Sequence, residues 1–61
     1  MSTTVFYTYS AQKKLARHAV PKEKARQTRY DLLEALQNQQ IEALFEVKNG
    51  IAVQLEYYNN D

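Results

Sequence analysis

The single glycine of the chain, Gly50, follows Asn49 and divides two alternating runs of residues, and no other feature restricts the fold as tightly. Before it, Ile41, Ala43, Phe45 and Val47 alternate with Glu42, Leu44, Glu46 and Lys48. After it, Ile51, Val53, Leu55 and Tyr57 alternate with Ala52, Gln54, Glu56 and Tyr58. A period of two is that of a strand with one buried face, and Asn-Gly between two such runs marks a β-hairpin. Residues 41–58 are therefore expected to form an antiparallel hairpin. Its turn can be drawn in two registers. A two-residue type I′ loop sets Val47 opposite Ala52 and Phe45 opposite Gln54, which sends the two apolar rows to opposite faces. A three-residue loop, Lys48-Asn49-Gly50, pairs Val47 with Ile51, Phe45 with Val53, Ala43 with Leu55 and Ile41 with Tyr57. This second register unites the apolar rows on a core face and puts Gly50 in the left-handed position of a bulge. It is the one the pattern predicts, with an acidic outer face of Glu42, Glu46 and Glu56. On that outer face Leu44 and Tyr58 are candidates for partner contact.

Thr3 to Tyr9 are β-branched or aromatic throughout, with Val5, Tyr7 and Tyr9 alternating with Thr4, Phe6 and Thr8, and predict a first strand. Ser10 then reads as a helix N-cap, with Ala11, Leu15 and Ala19 recurring every four residues. Val20-Pro21 breaks that helix, and Pro21 suits the first position of another running to about Asn38. One kinked helix over residues 10–39 is the alternative. Ala25, Leu32, Leu33 and Leu36 form the apolar stripe of the longer helix, with Arg29 inside it, a side chain whose stem can lie along the stripe while its head reaches out. The expected architecture is a small α+β domain of order β-α-α-β-β. A three-stranded antiparallel sheet carries both helices on one face, the first strand pairing with a hairpin edge or across a dimer.

At 61 residues the chain is expected to form one domain, 1–61, with one thin core, which makes a homodimer a reasonable expectation. It contains no Cys, so disulfides and thiolate chemistry are excluded. The N-terminal residues lack a basic region followed by an apolar run, and no apolar run approaches the ~20 residues of a membrane span. A cytoplasmic protein without membrane contact is expected.

Charge is segregated along the chain. Lys13, Lys14, Arg17, Lys22, Lys24, Arg26 and Arg29 are opposed within their segment only by Glu23, whereas from Tyr30 onward Lys48 is the single cation. Lys13, Lys14, Lys22 and Lys24 fall in the expected first turns of helices, against the helix dipole. Local choices that work against local structure mark candidate functional positions. These seven residues are candidates for phosphate contact with a nucleic acid. The plain reading is a solvated face, or pairing with the acidic strands. Glu42 and Glu46 stand roughly 13 Å apart along one strand, too far to hold one ion directly, so no metal is expected. Tyr residues beside basic helices could stack bases, although Tyr7, Tyr9 and Tyr57 fit core-facing strand positions. His18, the only histidine, lacks a recognisable nucleophile or orienting carboxylate. Neither an enzyme nor a cofactor is expected.

Lys24-Ala25-Arg26-Gln27 and Lys48-Asn49-Gly50-Ile51-Ala52-Val53 resemble segments of the Phd/YefM antitoxins, a family that binds operator DNA as dimers. The likeness covers less than a fifth of the chain, and the gap from first strand to hairpin departs from that pattern. The functional expectation is a small regulator binding nucleic acid, DNA rather than RNA, through its basic segment. The alternative is a protein-binding inhibitor or adaptor acting through Glu42, Leu44, Glu46, Glu56 and Tyr58.

Overall fold

In the computed structural model, which describes residues 3–56, the elements run β1 (Thr3–Ser10), β2 (Leu15–Pro21), α1 (Lys22–Gln37), β3 (Ile41–Lys48) and β4 (Ile51–Leu55). All strand pairs are antiparallel, and the sheet order is β2-β1-β3-β4. The fold is a small α+β domain with one helix on a four-stranded sheet.

Two sequence expectations need correction. The first expected helix is strand β2, so the element order is β-β-α-β-β and the sheet has four strands rather than three. The Ala11, Leu15, Ala19 spacing fits a helix, but β1 lies inside the sheet and its backbone needs partners on both sides. Residues 15–21 supply one of them, and tertiary pairing overrides the local periodicity. Ser10 does accept a backbone hydrogen bond, from the Lys14 N–H at 3.2 Å, but within a hairpin loop and not at a helix start. That loop is closed by Lys13 N–H to Ser10 O at 2.9 Å and Ser10 N–H to Lys14 O at 3.0 Å, with Lys13 left-handed at φ 64°.

The second correction is the register of the β3–β4 hairpin. Lys48 pairs with Ile51, Val47 with Ala52, Phe45 with Gln54 and Leu44 with Leu55. Asn49 and Gly50 have φ of 52° and 77°, the two consecutive positive angles of a type I′ turn. The expected three-residue loop is therefore wrong, and so is the pairing of Val47 with Ile51. Asn-Gly adopts its own preferred turn, and the apolar rows of β3 and β4 go to opposite faces. The expected pairing of Ile41 with Tyr57 lies outside the described residues.

The helix starts directly after Pro21, whose extended conformation ends β2, and it makes no side-chain cap. It packs over β3, β2 and β1, and its stripe is Ala25, Leu32, Leu33 and Leu36, as the spacing predicts. Its C-terminus closes by Gln40 N–H to Ala35 O at 2.9 Å and Gln39 N–H to Leu36 O at 3.1 Å, with Gln39 at φ 62°. This is a Schellman ending with glutamine in the position that glycine usually takes.

Candidate nucleic-acid interface

The face of the sheet beneath the helix is not the one the alternation favours. Phe6 and Leu44 are fully buried, with Thr8 at 5% exposure and Glu46 at 3%. Arg29 reaches down from the helix stripe and donates from Nε to Glu46 Oε1 at 2.8 Å and from a terminal nitrogen to Oε2 at 2.9 Å. This two-pronged geometry is the strong form of a carboxylate–guanidinium contact. It holds the Glu46 carboxyl below its ordinary range, against the opposing effect of burial, with smaller help from the charges of Arg29 and Lys48. The same hydrogen bonding raises Arg29. Thr8 Oγ1 and His18 Nε2 are hydrogen-bonded at 3.0 Å, so His18 is a strand residue serving the interior and not a member of a basic helix. Among the described residues no buried side-chain polar atom lacks a partner.

These contacts redraw the acidic outer face expected from sequence. Glu46 and Leu44 are interior, so that face is not formed; Glu42 and Glu56 remain exposed, and Tyr58 lies outside the described residues. No group of three or more potential metal-ligating side chains forms among the described residues. Nor is any helix there long and apolar enough to cross a membrane.

The basic residues divide in a physically clear way. Arg29 is committed to Glu46. Lys13, Lys14, Arg17, Lys22, Lys24 and Arg26 are all exposed, and none is ion-paired among the described residues. Lys13 and Lys14 sit in the β1–β2 loop, Arg17 lies midway along β2, and Lys22, Lys24 and Arg26 follow in the first turns of α1. Lys13 and Lys14 at one end of the edge strand β2 and Lys22, Lys24 and Arg26 at the other bracket that edge, while Arg17 between them lies on the sheet face away from the helix, paired with Tyr7. Glu23 is the carboxylate in that stretch. Lys22 and Lys24 do stand at a helix start, as expected, whereas Lys13 and Lys14 oppose no dipole because no helix begins there.

On the opposite face of the sheet lie Val5, Tyr7 and Tyr9 of β1 and Ala43, Phe45 and Val47 of β3, each half-buried. Alternation along the strands marks these same residues as core. Their signal was already in the Asn-Gly turn, whose preferred register places Phe45 opposite Gln54 and away from the side of Leu55.

Comparison with models of known families, with curated proteins and with solved structures finds no match for this chain. The short likeness to the antitoxin family therefore carries no argument.

Proposed function

We propose that this protein is a small non-enzymatic regulator that binds nucleic acid through its β2 side. The observation that carries the reading is the group of exposed cations at the two ends of β2, Lys13, Lys14, Lys22, Lys24 and Arg26, unpaired among the described residues and accompanied by one carboxylate, Glu23. Cations left unpaired along an edge are suited to neutralising consecutive phosphates and releasing their counterions. Duplex DNA is the favoured target, since unpaired charge at an edge strand and helix start suits the closely spaced phosphates of a backbone.

The alternative, a protein inhibitor acting through an acidic sheet face, has less support, because Glu46 and Leu44 are interior while Glu42 and Glu56 remain exposed. Fluorescence anisotropy with a random duplex tests the favoured reading. Five phosphate contacts give a salt slope of about −4.5, so that raising salt from ~50 to ~200 mM weakens binding about 500-fold. Replacing Lys22, Lys24 and Arg26 together by Ala should flatten the slope by about 3. No binding at the lower salt would end the proposal.

A further inference from the structure

We propose that the open face of the sheet is the interface of a homodimer, two sheets stacked about a two-fold axis that runs parallel to the strands between β1 and β3. The argument rests on how the side chains of that face line up across the strands. Arg17 pairs with Tyr7, Tyr7 with Phe45 and Phe45 with Gln54, so these four residues form one lateral row from the β2 edge to the β4 edge. The next row is Ala19, Val5, Val47 and Ala52. On the other side of the first row, Leu15, Tyr9 and Ala43 make a third.

A two-fold axis along the strands turns the strand order around, laying β2 over the partner's β4 and β1 over the partner's β3. Each row then meets its own reverse. Arg17, a donor, lies over the partner's Gln54, whose side-chain carbonyl accepts, and Tyr7 lies over the partner's Phe45. Ala19 and Val5 meet the partner's Ala52 and the partner's Val47, while the large Tyr9 meets the small side chain of the partner's Ala43. Such i-to-j and j-to-i matching is what an isologous interface requires. The angle of about 30° between stacked sheets pivots about the middle row, so Tyr7 and Phe45 stay in contact and the long Arg17 and Gln54 side chains span the displacement at the edges.

Charge and area favour the same occupant. Among the described residues the strand positions of this face hold no carboxylate and one cation, Arg17, on the edge strand, and Glu56 follows Gln54 just past the end of β4. Two copies therefore meet without burying like charges. A nucleic acid would find one cation here for its phosphates, Arg17, since Leu15, Ala19, Val5, Val47, Ala43 and Ala52 offer no side-chain donors. At ordinary strand spacing and rise the three rows cover about 20 by 17 Å. Two facing footprints of that size come to about 700 Å² in projection and more over the relief of the side chains, close to the ~1,000 Å² of a specific interface.

Sedimentation equilibrium without nucleic acid tests this independently of the function proposed above. The wild-type chain is expected to be dimeric. Phe45→Arg should be monomeric with an unchanged circular dichroism spectrum, because Phe45 faces away from the helix. Gln54→Lys places a second cation against Arg17 of the partner subunit, and should weaken the dimer ~100-fold. Adding Arg17→Glu to Gln54→Lys should restore it, since the two altered positions lie at opposite edges within one chain and meet only across the axis. A monomeric wild-type chain overturns the proposal, as does a dimeric Phe45→Arg. Failure of the double variant to recover overturns the axis. A wild-type monomer that binds single-stranded oligonucleotide and loses it in Phe45→Ala would assign the face to bases instead.

Discussion

The two faces of this sheet are made by the same four strands, yet the face beneath the helix holds polar groups while the bare face is largely apolar. Under the helix, Phe6 and Leu44 share their cover with Thr8 and Glu46. On the bare side, Val5, Tyr7, Phe45 and Val47 are shielded only in part. Which face becomes interior is decided by what lies over it. The helix brings Arg29 in its apolar stripe, and Glu46 on the covered face receives that cation in two hydrogen bonds, so neither charge is left unpaired there. Hydropathy along a strand ranks faces, but the turn register decides how the rows of neighbouring strands combine.

The sharpest way to break this comparison is to truncate one aromatic on each face. Phe6→Ala should destabilise the protein by about 3–5 kcal/mol, because it empties a sealed site. Phe45→Ala, measured by urea unfolding at a concentration low enough to keep chains apart, should cost about 1 kcal/mol or less. Equal losses would mean that the covered face is not the interior.

Next in size is Arg29→Ala. It strands the Glu46 carboxylate and should cost roughly 3 kcal/mol, below the upper range for buried pairs because the arginine is 36% exposed. Removing both charges by Arg29→Met with Glu46→Leu should bring stability back to within about 1 kcal/mol of the starting protein, or above it. Persistent loss in the double variant would show that the pair does more than satisfy itself.

Acid should act on the covered face through Glu46. Glu46 has its folded pKa lowered below the ordinary 4.5, so the unfolded chain takes up the proton first as pH falls. The contribution of the pair is therefore present above about 4.5 and lost as pH drops through the folded value. Unfolding followed between pH 7 and 3 should show this decline, and Glu46→Gln should remove its portion of the slope. The smallest effect is a reference that touches neither face. Gln39→Gly relieves a left-handed residue at the helix end and should stabilise by about 0.5–1 kcal/mol in thermal unfolding.

Much of the frame was legible from residue types. The β-branched and aromatic run of β1, the stripe of α1 and the hairpin around Asn49-Gly50 all follow from local physics. Strand β2 was not legible, because Leu15, Arg17 and Ala19 have no strong strand preference and become a strand by pairing with β1. The hairpin register was misread for a different reason. Uniting both apolar rows on one face assumes that the sheet has a single apolar side, whereas β3 turns its apolar row outward and β4 turns its own toward the helix side. For the candidate site, the exposed cations were visible as a cluster. That Arg29 leaves the cluster depended on Glu46, a contact between residues 17 positions apart.

The central seam between β1 and β3 also bears on how the chain finds its fold. Both hairpins close over short loops and can form on the microsecond scale, whereas Val5 must find Val47 across the whole of β2 and α1. Bringing such distant segments together carries a loop-closure entropy that neither hairpin bears alone. Formation of the seam should therefore set the folding rate, with β2 and β4 adding little to the barrier. Substitutions at seam positions would slow refolding, and substitutions on the outer strands would chiefly hasten unfolding.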